Sequence, residues 1–142
     1  MPFYQCFSLT GSLSQEQKKE IVREVTRIHV QETGGLARFV QILFVEVTPD
    51  NVFQNGKPSS AIRLHARIRA GRDAATKLRM LQAYTDLIAR VARVPVDDIM
   101  VGFIETSYEN VMEAGVRLPA PGEEKAWLAQ LDEQRAPVMS DE

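Results

Sequence analysis

Proline at the second position is the first residue of the chain whose type and place suggest chemistry. Pro2 follows the initiator methionine, which is normally removed when the next residue is small. We therefore expect Pro2 to become the first residue of the mature protein, with a free secondary amine in place of an amide nitrogen. Such an amine can act as a general acid or base. Many proteins begin with Met-Pro and make no catalytic use of it, so Pro2 alone does not predict a reaction.

Two arginines close together in the middle of the chain could bind an anion. Arg69 and Arg72 stand in the segment Arg-Ala-Gly-Arg, just before a predicted helix. Guanidinium groups bind carboxylates through paired hydrogen bonds, and the free N–H groups at a helix N-terminus favour the same charge. Like-charge repulsion from this pair would lower the pKa of a nearby amine. The segment predicts a carboxylate site, with a solvated basic strand end as the alternative.

One histidine and a group of carboxylates could supply further acid–base chemistry. His29 is predicted in the last turn of the first helix beside its apolar face, where the helix end favours a charged imidazole and burial opposes it. His65 lies on the polar face of an alternating strand and is not assigned a role. The segment around the end of the last strand contains Glu105, Glu109 and Glu113, and the sequence does not choose among them.

Two β-α-β units are predicted to position these residues. The first unit, residues 2–47, has a strand from Phe3 to Leu9, a helix from the Ser14 cap to Gly34-Gly35, and a nearly all-apolar strand from Phe39 to Val47 that we expect to be buried. The second unit, residues 61–105, has a strand from Ala61 to Arg69, a helix from the Asp73 cap to about Arg93, and a strand from Ile99 to Glu105.

These units predict an α/β (α+β) fold with one domain over residues 1–142. Right-handed crossovers place two helices on one face of a four-stranded sheet. Antiparallel pairing of the two first strands would bring Pro2 close to Arg69. The other sheet face stays open, and we expect further copies of the chain to cover it. Residues 48–60 are interpreted as a polar loop, and residues 106–142 as a tail with a short amphipathic helix and a frayed end.

Composition excludes several classes of protein. Hydrophobic residues make up 44% and charged residues 25% of 142 residues, values typical of a soluble globular domain. A net charge of −2 offers no general attraction for nucleic acid. No apolar run approaches the length of about 20 residues that a membrane span needs, and the N-terminus lacks a basic signal region. Cys6 is the one cysteine, so no intrachain disulfide or zinc site forms, which fits the cytoplasm.

Five features occur in this chain in one order: proline after methionine, a double β-α-β arrangement, a histidine late in the first helix, R-x-G-R, and E-x-G followed by LPxPG. Together they resemble the tautomerase superfamily, and within it the cis-3-chloroacrylic acid dehalogenase family, from about Pro2 to Leu131. The resemblance implies a tautomerase/MIF-like fold, assembled as a homotrimer. It also implies functional roles for five residues: Pro2, His29, Arg69, Arg72 and Glu113.

Two positions depart from the dehalogenase pattern. That family has Val-Tyr-Phe in the last strand, where the tyrosine helps to activate water, whereas this chain has Val101-Gly102-Phe103. The arginine that follows E-x-G is replaced by Val116, with Arg117 one residue later. Both departures disfavour water activation and leave proton transfer by Pro2 intact.

The resemblance gives one leading hypothesis and two alternatives. The leading one is a tautomerase, independent of cofactor and metal, that moves a proton on a small 2-oxo or enol carboxylic acid. Pro2 would transfer the proton, Arg69 and Arg72 would hold the carboxylate, and His29 would orient the 2-oxygen. The first alternative is a dehalogenase or hydratase of 3-substituted acrylates, with protonated Pro2 and Glu113 activating water. The second alternative is a non-enzymatic trimer that serves as an interaction module.

Overall fold

The four long strands form one sheet built from the two predicted units. The computed structural model describes the backbone of residues 2–140 and the side chains of residues 2–135. The first unit comprises β1 (Phe3–Leu9), α1 (Gln15–Thr33) and β2 (Gln41–Val47). Two short strands follow, β3 (Phe53–Gln54) and β4 (Lys57–Pro58), and then the second unit, with β5 (Ile62–Arg69), α2 (Ala74–Ala92) and β6 (Ile99–Thr106).

The sheet has the order β2-β1-β5-β6, which joins the units through their first strands. The pairs β1–β2 and β5–β6 are parallel, whereas β1 and β5 are antiparallel, with Phe3 opposite Arg67. This register confirms the expected pairing, because it brings the start of β1 beside the end of β5. Pro2 and Arg69 therefore lie at the same end of the two central strands.

The core lies between the sheet and its two helices. Every second residue of β1 and β5 faces α1 and α2, as the alternation of a strand requires. The residues buried there include Tyr4, Cys6, Ile62, Leu64, Ala66, Ile21, Val25, Met80, Tyr84 and Ile88. Both helices thus cover the same face of the sheet, as predicted.

The ends of α1 and α2 follow from local side-chain chemistry. The Ser14 hydroxyl accepts a hydrogen bond from the Gln17 backbone N–H at 3.1 Å, and the Gln17 side chain accepts one from the Ser14 N–H at 2.7 Å. This capping box satisfies two N–H groups that the helix itself leaves unpaired. Gly34 ends α1 in the left-handed region with φ of 71°. At α2, the Asp73 carboxylate accepts from the Thr76 N–H at 2.7 Å.

The second face of the sheet is not covered by either helix. It exposes about half of Leu43, Met100 and Ile104. The prediction of a buried strand from Phe39 to Val47 was wrong in two respects. Residues 37–39 form a short 3₁₀ turn, and β2 begins only at Gln41. As an edge strand with one open face, β2 alternates between exposed and half-buried residues.

The two segments predicted to be irregular contain regular structure. In the polar loop, β3 and β4 form a hairpin whose turn residues Asn55 and Gly56 both have positive φ. In the tail, β7 (Met112–Glu113) pairs with β8 (Val116–Arg117), and α3 runs over Glu124–Ser140.

The third helix is longer than predicted. The tail was expected to fray after its short helix, but α3 continues to Ser140, and residues 141–142 lie outside the described residues. A hydrogen bond of 2.9 Å from the Arg135 guanidinium to the Ala114 carbonyl joins the fourth turn of α3 to the β7–β8 turn. Of the helices described, none is long and apolar enough to cross a membrane.

Candidate active site

A cavity opens where the start of β1, the end of β5 and the end of α1 meet the tail. It contains about 380 Å³ of empty space, part of it open to solvent. Four of the five residues assigned by resemblance line it: Pro2, His29, Arg69 and Glu113. The tail and the turn before β2 complete the wall with Phe39, Leu118, Trp127 and Glu124.

Pro2 lines this cavity and is held in place by the backbone. It is buried, and its carbonyl accepts a hydrogen bond from the Gln41 N–H at 3.1 Å, continuing the β1–β2 pairing. The residue before β1 is therefore fixed by two neighbouring strands. This placement puts any chemistry at the Pro2 nitrogen next to the other cavity residues.

The guanidinium of Arg69 is buried, and tail residues accept two of its hydrogen bonds. Its Nη1 donates to the Pro119 carbonyl at 2.7 Å, and its Nη2 donates to Glu124 Oε1 at 2.6 Å. Arg72 does not line the cavity, but its Nη2 lies 3.7 Å from the same Glu124 oxygen. Burial and the neighbouring Arg69 lower the pKa of Arg72. The predicted arginine pair is present, and it already has an internal counter-ion.

Glu124 is a cavity residue that the sequence analysis did not identify. It begins α3, in a segment interpreted only as an amphipathic helix. Burial raises the pKa of its carboxyl, but hydrogen bonds from Arg69 and from the backbone N–H groups of Glu124 and Gly122 outweigh this effect and hold the pKa below its usual range. An acidic residue at the start of a helix is a visible sequence signal. Its pairing with Arg69, which lies 55 positions earlier in the chain, is not visible in the sequence.

His29 is a neutral imidazole with one nitrogen directed into the core. It is 4% exposed, and burial together with Arg72 lowers its pKa from 6.5 to about 3. The sequence left open whether the helix end or burial controls its charge, and burial prevails. Its Nδ1 lies 2.8 Å from the Tyr4 hydroxyl. Its Nε2 lies on the cavity side, since a Cβ added at Gly35, a cavity residue, would be 3.1 Å from it.

The structure distinguishes among the three candidate glutamates. Glu105 forms an ion pair with Lys77, and Glu109 is exposed in a 3₁₀ turn. Only Glu113 of the three lines the cavity. It is placed there by a two-residue turn in which Ala114 and Gly115 have φ of 56° and 80°. Such hairpin turns need positive φ at both central residues, which explains the glycine of E-x-G.

A second glycine lets two of the motifs approach each other. Gly71, between the two arginines, has φ of 122°, and a Cβ added there would lie 3.0 Å from Pro121 Cγ. The Arg-Ala-Gly-Arg loop therefore packs directly against the Leu-Pro-Ala-Pro-Gly segment. This contact brings the Pro119 carbonyl within reach of Arg69.

Gly102, which stands where the dehalogenase family has tyrosine, lies away from the cavity of its own chain. It pairs with His65 on the open face of the sheet, and a Cβ added there would meet no atom within 4 Å. Among the described residues, no group of three or more His, Cys, Asp or Glu is placed to hold a metal ion.

Residues 1–132 match the protein family described as "Putative oxalocrotonate tautomerase enzyme". A crystal structure of N1, a member of the cis-3-chloroacrylic acid dehalogenase (cis-CaaD) family, is similar with a TM-score of 0.89 and 29% identity, covering 99% of both chains. Native Ps01740 is 32% identical with a TM-score of 0.77, covering 78% of this chain and 99% of its own.

More distant structures share the fold. An asymmetric trimer of fused 4-OT is 21% identical with a TM-score of 0.75, covering 81% of this chain and 94% of its own. No curated protein matches the chain.

Proposed function

Because this chain belongs to the tautomerase family, we propose that it is a tautomerase that uses Pro2 to move a proton on a small 2-oxo or enol carboxylic acid. The observation that carries the proposal is the single cavity in which Pro2, His29 and the buried Arg69 meet. A base, a hydrogen-bond donor and a cation are the three groups that this reaction needs.

The reaction is an isomerisation in which one proton changes place. With Met1 removed, the Pro2 nitrogen takes the proton of the enol hydroxyl, which leaves an enolate and a prolinium. As the oxygen electron pair forms the carbonyl, the electron pair of the carbon–carbon double bond takes a proton from the prolinium N–H. Atoms and charge balance without a co-reactant, and Pro2 returns to its starting state.

Arg69 supplies the carboxylate contact. Its guanidinium has five N–H donors, of which two are used by Pro119 and Glu124, so donors remain for a substrate. Arg72 adds positive charge through the shared Glu124 contact. Glu124 neutralises part of the positive charge of the two arginines, so the cavity suits one carboxylate, whereas Phe39, Leu118 and Trp127 form an apolar wall. These features favour monocarboxylic acids with an apolar substituent.

The open sheet face supports a homotrimer. Leu43, Met100 and Ile104 are 49–51% exposed on that face, and closed cyclic assembly would cover them. The fused 4-OT structures described as trimers share this fold. Light scattering at micromolar concentration should give three times the 16.0 kDa of one chain. A mass of one chain would overturn this part of the proposal.

One combined experiment tests the reaction. Intact mass spectrometry establishes whether Met1 is absent, and the same sample is assayed for ketonisation of phenylenolpyruvate. We expect a protein without Met1 that ketonises this enol acid. Full activity with Met1 retained would exclude Pro2 catalysis, because an acylated nitrogen is not a base. Retained Met1 with no activity would favour the non-enzymatic trimer.

A dehalogenase or hydratase remains the second candidate function. It is favoured by the position of Glu113 in the same cavity as Pro2 and by the similarity to N1, a member of the cis-CaaD family. Since Gly102 offers no hydroxyl, we expect hydration to be the weaker activity. The proposal fails if the protein dehalogenates cis-3-chloroacrylate faster than it ketonises any enol acid tested.

A further inference from the structure

A chain of two tyrosine hydroxyls runs from the core to His29. The Tyr4 hydroxyl lies 2.8 Å from His29 Nδ1 and 2.6 Å from the Tyr84 hydroxyl. Both tyrosines are 0% exposed. Tyr4 comes from β1 and Tyr84 from α2, so this chain of hydrogen bonds joins both β-α-β units to the cavity.

The number of protons in the chain allows two arrangements. In the first, Tyr84 donates to Tyr4, and Tyr4 donates to His29 Nδ1, which leaves the imidazole proton on Nε2. In the second, His29 Nδ1–H donates to Tyr4, so three protons share two hydrogen bonds. Whether Tyr4 donates to Tyr84 or Tyr84 donates to Tyr4, one tyrosine O–H then needs another acceptor.

The surroundings of Tyr84 favour the first arrangement. Within residues 2–135, whose side chains are described, its hydroxyl has Tyr4 as its one hydrogen-bond partner. The second arrangement would leave a fully buried O–H donor unpaired, which costs about 1–3 kcal/mol. Arg72 and Arg69 act with burial to keep the imidazole uncharged, so the choice lies between its two neutral tautomers.

We propose that Tyr4 and Tyr84 are positioning residues that hold His29 as the neutral Nε2–H tautomer, with that N–H directed into the cavity. His29 then donates a hydrogen bond to the 2-oxygen of the substrate and takes no part in proton transfer. This role rests on the proposed function, but the tautomer itself does not. Burial lowers the pKa of His29 to about 3, which keeps the imidazole neutral at physiological pH.

The test reads the tautomer directly. Proton–nitrogen correlation NMR on protein with ¹⁵N-labelled histidine distinguishes Nε2–H from Nδ1–H. The chain has only two histidines, and a His65→Gln variant assigns the signals. We expect Nε2–H in the unmodified protein. A proton on Nδ1 would overturn the proposal whether or not the protein ketonises enol acids, and Nε2–H without activity would count against the proposed function alone.

Variants test whether the tyrosines control this tautomer. Tyr4→Phe should give a mixture of tautomers and lower kcat about tenfold with little change in KM, because one positioned hydrogen bond is lost. Tyr84→Phe should act in the same direction and less strongly, and it serves if Tyr4→Phe does not fold. Thr85→Val is the matched control, since its hydroxyl lies on the same helix and donates to the Leu81 carbonyl. Unchanged tautomer and kcat in both tyrosine variants would refute the proposal.

Discussion

The ion pair between Arg69 and Glu124 joins the proposed substrate site to α3, and its geometry sets its strength. The Nη2–Oε1 distance is 2.6 Å, and the two side chains are 6% and 18% exposed. Hydrogen bonds to charged groups contribute about 1.5–3 kcal/mol, whereas exposed ion pairs contribute about 0.2–1 kcal/mol. Since Glu124 keeps some contact with solvent, we expect a coupling energy of about 2 kcal/mol.

A double-mutant cycle measures this coupling. Arg69→Met, Glu124→Gln and the double variant are unfolded in urea at one protein concentration, because the stability of an oligomer depends on concentration. The matched control is the cycle on Arg38 and Asp132, whose atoms lie 3.5 Å apart with exposures of 48% and 58%. That pair also ends on α3, and its coupling should be about 0.5 kcal/mol or less. Equal couplings in the two cycles would refute the reasoning.

The same variants separate substrate binding from stability. Glu124→Gln removes the negative charge that partly neutralises the two arginines, so KM for phenylenolpyruvate should fall although the protein is less stable. An added charge effect of about 1.4 kcal/mol would lower KM about tenfold. Arg69→Met should raise KM and also destabilise the fold. A higher KM in Glu124→Gln would show that Glu124 orients Arg69 for substrate and does not compete with it.

Three further predictions concern single groups. Pro2→Ala keeps a primary amine, so kcat should fall by less than the full contribution of general acid–base catalysis, which is about 10²–10⁴-fold. Acetylating the terminus should abolish ketonisation. In urea unfolding, stability should fall by up to about 1.4 kcal/mol per unit more in the unmodified protein than in His29→Gln as pH drops from 6.5 toward 3, because unfolded His29 binds a proton that the folded state excludes. Carboxylates with a lowered pKa, such as Glu124, add the same slope to both proteins. Gly102→Tyr should fold normally and should raise dehalogenation of cis-3-chloroacrylate relative to ketonisation. The tyrosine would act in the cavity of a neighbouring subunit, since Gly102 lies on the open face of the sheet. An unchanged ratio would contradict this.

The elements with strong local signals could be predicted from the sequence. The capping box of Ser14 and Gln17, the left-handed Gly34 and the Asp73 cap fix helix ends through neighbours in the chain. The alternation of β5 likewise follows from which residues face the core. Prediction was weaker for β2, whose apolar sequence indicated burial on both faces. An edge strand with an apolar open face has the same composition as a strand that is buried on both faces.

The hairpin of β3 and β4 was missed although its signal is present. Asn55-Gly56 is a strong short-range indication of a two-residue hairpin, because both residues tolerate positive φ. Hydrophobic periodicity does not indicate this hairpin, because the flanking strands are only two residues long and carry no alternation. The turn chemistry was more informative here than hydrophobic periodicity.

The site could be predicted only in part. The structure brings Pro2, His29, Arg69 and Glu113 to one cavity, and the antiparallel pairing that does so was predictable. The contacts that control these groups were not. The Tyr4–Tyr84 bond spans 80 positions, and the Arg69–Glu124 bond spans 55. No local pattern encodes such distances, so the internal counter-ion and the tautomer of His29 appear only in three dimensions.

The neutrality of His29 makes the pH profile a means of separating the two candidate functions. With a pKa of about 3, His29 cannot produce an inflection near neutral pH. A tautomerase needs Pro2 as a free amine, so its activity rises with pH through the pKa of that amine. A dehalogenase needs prolinium, so its activity falls over the same range. The direction of the pH dependence therefore decides the protonation state of Pro2 that the chemistry uses.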